Sequence, residues 1–262
     1  MAGHPLRSTG GLASGWRLQL PLFAGAYLLY AAGRYLTIGD YHGAVRHADL
    51  IVDAERMLGI AVERSVQQAL QGTAWLGLLN HLYLAAQLVA VPATLVWLYL
   101  RAPHGYRRLR NVVLATWLLS LPVYALFPVA PPRLADPGMV DTITAQTGFA
   151  LDSKLTTALY NPLAAVPSLH AGFALAVGVA IARHARTLLP RLLGALWPAA
   201  IAIAVVATGN HFVLDIAAGI IATLAGLGLS LGVERLTTER RTQPAGRPRR
   251  RVPREVADGA AA

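Results

Sequence analysis

The chain has 262 residues, 55% hydrophobic and only 14% charged, with a formal net charge of +10 and no cysteine. Soluble domains carry roughly 25% charged residues, so this balance speaks against a water-soluble globule and for a lipid environment. The missing cysteines exclude a disulfide framework and a thiolate metal site, and they leave the redox compartment open.

In chain order, uncharged apolar runs occupy residues 18–33, 73–100, 111–132, 155–182, 192–214 and 216–233. A transmembrane helix needs about 20 such residues. The pattern predicts an all-α polytopic membrane bundle of about six transmembrane helices. Arg17 and Arg34 flank the first run and weaken it. It is long for a signal peptide, and losing it would leave an odd helix count, so we read it as a retained span. Pro92, Pro122 and Pro198 fall inside runs and should kink helices without ending them. The reading divides the chain into a cytoplasmic N-terminal segment (1–16), a membrane domain (17–236) and a basic tail (237–262). The tail is rich in Thr, Arg, Pro, Gly and Ala, lacks apolar periodicity and is expected to be disordered.

Two outer segments are too long to be simple turns. Residues 44–70 carry Ile51, Leu58, Val62 and Val66 at helical spacing, with Asp53, Glu55, Arg56, Glu63 and Arg64 between them. This predicts an amphipathic segment of one or two helices at the outer interface, capping the bundle or admitting substrate. Residues 128–154 contain Pro128, Pro131, Pro132, Arg133, Asp136, Pro137 and Gly138, which predicts an irregular loop.

The position of the positive charge decides its meaning. Arg101, Arg107, Arg108 and Arg110 follow the second run, and Arg183, Arg186 and Arg191 follow the fourth. Eight arginines between Arg235 and Arg254 follow the sixth, and Arg7 and Arg17 precede the first. The positive-inside rule makes this side cytoplasmic. The charge thus reads as a topology signal that also touches anionic lipid, and no nucleic-acid partner is expected. We expect a multi-pass plasma (inner) membrane protein with both termini in the cytoplasm.

Two histidine motifs then face outward. Pro167-Ser168-Leu169-His170 and His211-Phe212-Val213-Leu214-Asp215 are separated by two crossings of about 20 residues each, which returns both to the same face. Asp215, four residues after His211, shares its helical face and is able to hold one ring nitrogen, leaving the other free for nucleophilic or acid–base work; the alternative is a histidine simply satisfied within its own helix. Pro167 suits the first turn of a helix, whose amides and dipole around Ser168 make an anion site beside His170. His81 reads as an ordinary interfacial histidine. Phosphate also needs a cation, and Arg133 is the best placed outside, where it either binds two phosphate oxygens or snorkels to the interface. Asn210 is a further candidate ligand. The outer face lacks the clustered aspartates that a magnesium-dependent alcohol transferase would need, so no metal or cofactor is expected.

The motif PSLH, a span, a basic inner turn and GNHFVLD together resemble the type 2 phosphatidic acid phosphatase superfamily over roughly residues 73–233. The resemblance implies that His211 is the nucleophile, Asp215 orients it and His170 protonates the leaving group. The chain departs from the phosphatase pattern in two places. Leu126 stands seven residues before Arg133 where that pattern has Lys, and Val205 stands six residues before His211 where it has Arg. FPVAPPRL with TGNHFVLD is more similar to the bacterial relatives of inositol phosphorylceramide synthase, the aureobasidin-resistance branch. That likeness implies transfer of a phosphoalcohol head group, through a phosphohistidine, from a phospholipid to a hydroxyl acceptor. A lipid phosphate phosphatase acting on phosphatidic acid or polyprenyl phosphate with water as acceptor is the alternative. A non-enzymatic transporter in which His170, His211 and Asp215 relay protons is the second, although transport sites lie nearer the midplane than these residues do.

Overall fold

The computed structural model describes residues 19–25, 27–29, 31–32, 40–151 and 153–242. The expected N-terminal segment 1–16 and residues 243–262 of the tail lie outside the described residues. Within them every regular element is a helix, and the one β-type pairing is an isolated bridge between Val129 and Ala164.

The elements in order are α1 (Gln19–Leu29), α2 (Tyr41–Leu58), α3 (Glu63–Leu70), α4 (Ala74–Arg101) and α5 (Pro103–Leu126). Three short helices follow, α6 (Pro132–Ala135), α7 (Thr142–Thr147) and α8 (Lys154–Leu159). The chain closes with α9 (Leu169–His184), α10 (Leu188–Ala207) and α11 (Val213–Thr242). Four stretches are long and apolar enough to cross a membrane, Ala74–Arg101, Pro103–Leu126, Leu188–Ala207 and Val213–Leu236. They make this a membrane protein. α1 and α9 are apolar but shorter, so the count of six spans is not reached by length alone.

Hydropathy located the helices better than it located their ends. Pro92, Pro122 and Pro198 all lie inside continuous helices, and α4 absorbs the strain near Pro92 in a π-helical turn at Ala86–Ala90. The run 155–182 is not one helix. Asn161, Pro162 and Pro167 break it, so α9 starts only at Leu169, with Ser168 as its N-cap accepting from the Ala171 amide. Pro167 therefore precedes the cap and does not occupy the first turn. The run 192–214 also ends early, because Gly209 takes a left-handed φ of 70° and closes α10 at Ala207. The expected boundary at 237 is passed by α11, which continues through Thr242.

α9 sits at the centre and packs on α4, α5, α10 and α11. It joins one apolar core through Phe173 and Val177, packed with Leu95, Leu98, Leu109 and Val113. A second cluster, Ala44, Ala48, Ile51, Val129, Ala165 and Phe212, fastens α2 over the loops at the other end. α9 meets α11 backbone to backbone there, and a Cβ on Gly219 would collide with the Ser168 carbonyl oxygen. That close approach sets the start of α9 beside the start of α11.

Residues 44–70 lie on two helices, but their buried face differs from the apolar stripe read in the sequence. Ile51 is buried, whereas Leu58 and Val62 are exposed, and the side chains turned inward include Glu55, Glu63 and Gln67.

Candidate functional site

The two histidine motifs meet at one end of the bundle. His170 is the second residue of α9, and His211 lies in the short loop between α10 and α11. Their ring centroids are 5.7 Å apart with the planes tilted by 55°. The opposite end of α9 carries Arg183, so histidines and arginines occupy opposite ends of this helix. At about 1.5 Å rise per residue, the 13 residues from His170 to Arg183 separate them by about 20 Å.

His211 is fixed through one nitrogen. Its Nδ1 lies 2.9 Å from the Ala165 carbonyl oxygen and 3.3 Å from Asp215 Oδ2. Both neighbours are acceptors, so Nδ1 carries the proton and Nε2 presents a lone pair. Asp215 does not share a helical face with His211, as the four-residue spacing suggested. It sits in the first turn of α11 and reaches back, accepting also from the Phe212 amide at 2.8 Å. A carboxylate at this position satisfies an otherwise orphaned amide at the helix start. Asp215 is fully buried and His211 is 6% exposed, so the contact is shielded from water.

His170 stacks on Tyr83 of α4, with ring centroids 4.1 Å apart and planes 20° from parallel. This limits rotation of the imidazole. The amides near it divide into two groups. That of Ser168 donates to the Asp215 carbonyl at 3.0 Å and that of Ala171 to Ser168 Oγ at 3.3 Å. The expected anion cradle is thereby reduced to the amides of Leu169 and His170.

Arg133 is nine-tenths buried and is tied to the same loop. Its backbone amide donates to the Gly209 carbonyl at 2.8 Å, and its Nε donates to Asn210 Oδ1 at 2.9 Å. One terminal nitrogen donates to the Tyr160 hydroxyl at 2.8 Å, and the other lies 3.6 Å from Asp141 Oδ2. Asn210 in turn donates from Nδ2 to the Thr208 carbonyl and hydroxyl. Both ends of the Asn210 amide are thus used inside the protein, to hold the loop and Arg133. Leu126 is 82% exposed, while Val205 is fully buried in the core. Neither position lends a polar group to the site. His81 is exposed and hydrogen-bonds the Gly77 carbonyl of its own helix. Among the described residues no group of three or more His, Asp or Glu is arranged to hold a metal ion.

Four contributors escaped the sequence reading: Tyr83, Tyr160, and the acids Glu55 and Glu63. Glu55 Oε1 accepts from the Leu214 amide at 2.7 Å, and Glu63 Oε1 accepts from the Val213 amide at 2.9 Å. Burial pushes the Glu55 carboxyl up to about 8. The only advance signal was the spacing of the two acids between apolar residues in a segment read as amphipathic.

A family model described as the PAP2 superfamily matches residues 49–229. The chain belongs to this superfamily. No curated protein and no solved structure matches the chain. Members of the superfamily are typically phosphatases or phosphotransferases, and the family implies a lipid phosphate substrate with water or an alcohol as acceptor. The apolar helices of this chain fit a membrane enzyme of that kind.

Proposed function

We propose that the protein is a membrane lipid phosphotransferase that moves a phosphoalcohol head group between hydroxyls through a phosphohistidine on His211. The observation that carries this reading is the fixed tautomer of His211. With Nδ1–H held by the Ala165 carbonyl and Asp215, Nε2 is the nucleophile. Nε2 attacks phosphorus of a phospholipid, an N–P bond forms and the P–O bond to the lipid breaks. The leaving oxygen takes its proton from His170, close enough for one substrate group to touch both rings. His170, now neutral, accepts the proton of an acceptor hydroxyl as that oxygen attacks phosphorus and the N–P bond breaks. Asp215 stabilises the imidazolium that forms on His211.

Arg133 is the phosphate cation in this scheme. A guanidinium has five N–H donors, more than its partners occupy, so donors remain for a substrate oxygen. Asp141 at 3.6 Å offsets part of its charge. With Leu126 and Val205 in place of further cations, the site suits a singly charged phosphodiester better than a dianionic monoester. A diester donor such as a phosphoinositol lipid implies head-group transfer. The Arg-rich ends of the helices support an arrangement with both termini in the cytoplasm and the site facing outward.

The test is turnover of labelled donor by purified protein in lipid bilayers. Transfer from a phosphodiester lipid to a second lipid or polyol hydroxyl should be faster than release of inorganic phosphate from phosphatidic or polyprenyl phosphate. Rapid phosphate release from monoesters, independent of added acceptor, would select the phosphatase instead.

A further inference from the structure

The start of α11 is held by acids from three helices. Val213, Leu214 and Phe212 supply three successive backbone amides, accepted respectively by Glu63 of α3, Glu55 of α2 and Asp215 of α11 itself. Glu55 is fully buried and Glu63 is 6% exposed. Their partners in sequence lie some 150 residues away, so neither is a local cap. One turn beyond Glu63, the buried Gln67 donates to the Ala207 carbonyl at 3.3 Å and to the Val140 carbonyl at 3.1 Å, and accepts from the Val140 amide at 2.9 Å. α2 and α3 thereby hold both flanks of the loop 208–212, the end of α10 through Gln67 and the start of α11 through the two acids.

Placing two carboxyl groups against a third in a buried site is costly unless one keeps its proton. A helix end needs no more than good acceptors. A lone apolar contact would cover this loop at far lower cost, so the acids answer a positional need at His211.

We infer that Glu55 and Glu63 are positioning residues for His211, acting through the amides of Leu214 and Val213 to fix the loop that aims the imidazole. This rests on the reading of His211 as the nucleophile. Glu55 works as the neutral acid: its carbonyl oxygen accepts from Leu214 while the proton keeps it from repelling Glu63 and Asp215, the charged groups that face it. Its carboxyl loses that proton only near pH 8. Above this pH three carboxylates crowd the start of α11 and the loop loosens.

The experiment compares Glu55→Gln, Glu55→Ala, Glu63→Ala and His211→Ala as full chains in lipid bilayers, with a labelled short-chain phosphatidylinositol and phosphatidic acid as probes. Displacing a reacting group by about 1 Å costs up to about 10²-fold in rate. Glu55→Ala and Glu63→Ala should lower kcat by about 10- to 10²-fold with KM changed less than about threefold. Glu55→Gln, which keeps the acceptor and cannot ionise, should retain wild-type kcat at pH 7 and fall less steeply than the wild type above pH 8, where only the wild type gains the third carboxylate. If Glu55→Ala does not fold, the pH profile of Glu55→Gln still decides. An unchanged alkaline limb in Glu55→Gln, or wild-type kcat in Glu63→Ala, overturns the inference. Full activity of His211→Ala would instead overturn the reading beneath it.

Discussion

Replacing Asp215 by Asn separates orientation from charge at the site. Asp215 Oδ2 accepts from the Phe212 amide at 2.8 Å and faces His211 Nδ1 at 3.3 Å, with the residue fully buried. Asn is isosteric and keeps one acceptor oxygen, so the cap on Phe212 and the fold should survive. What it removes is the negative charge behind the imidazole. A hydrogen bond to a charged group contributes about 1.5–3 kcal/mol, and about 1.4 kcal/mol is tenfold in rate, so kcat should fall by about 10- to 10²-fold. A triad Asp that alone sets the tautomer costs more, about 10⁴-fold on amidation. Here the Ala165 carbonyl at 2.9 Å holds the same proton, which limits the loss. The assay is steady-state turnover of labelled donor by purified protein in bilayers, beside a thermal melt of each variant. Wild-type kcat in Asp215→Asn would refute the reasoning.

His211→Ala and His170→Ala should each lower turnover by on the order of 10³-fold or more, since residues that act as a unit lose nearly everything singly, and vanadate should inhibit the wild type in the same assay. Arg133→Ala should raise KM and lower kcat for diester and monoester donors alike, and Asn210→Ala should do the same more weakly by releasing Nε of Arg133; equal activity of Arg133→Ala on either donor would remove it from the site. Reporter fusions after residue 110, after residue 190 and at the C-terminus should read as cytoplasmic, and fusions within 135–150 as external. An external C-terminus would turn the site to the other face.

The membrane-spanning helices were legible because lipid demands long uncharged runs, and the prolines inside them were tolerated as expected. Their breaks were not. The loops 160–168 and 208–212 are themselves buried and apolar at Leu163, Ala165 and Phe212, so hydropathy runs straight through them. The histidine motifs and Arg133 were legible as unusual residues at the edges of apolar runs, and the structure brings all of them to one end. The orientation of His211 was not, because its main acceptor is the backbone of Ala165, which carries no side-chain signal. Glu55 and Glu63 were hidden for a related reason: a charged residue on an amphipathic helix reads as solvated, and only the distant amides of Val213 and Leu214 turn it inward. Tyr83 gave no sign beyond an aromatic residue in a span, and its value lies in stacking on His170.

The central claim is that phosphorus becomes bonded to His211. His170→Ala, supplied with a labelled phosphodiester whose nitrophenol leaving group departs without a proton, should still form the intermediate yet lack the base that activates the acceptor. Rapid quenching at alkaline pH, digestion and mass spectrometry should find the label on His211. Label on another residue, or none on a variant that still releases nitrophenol, would contradict the account.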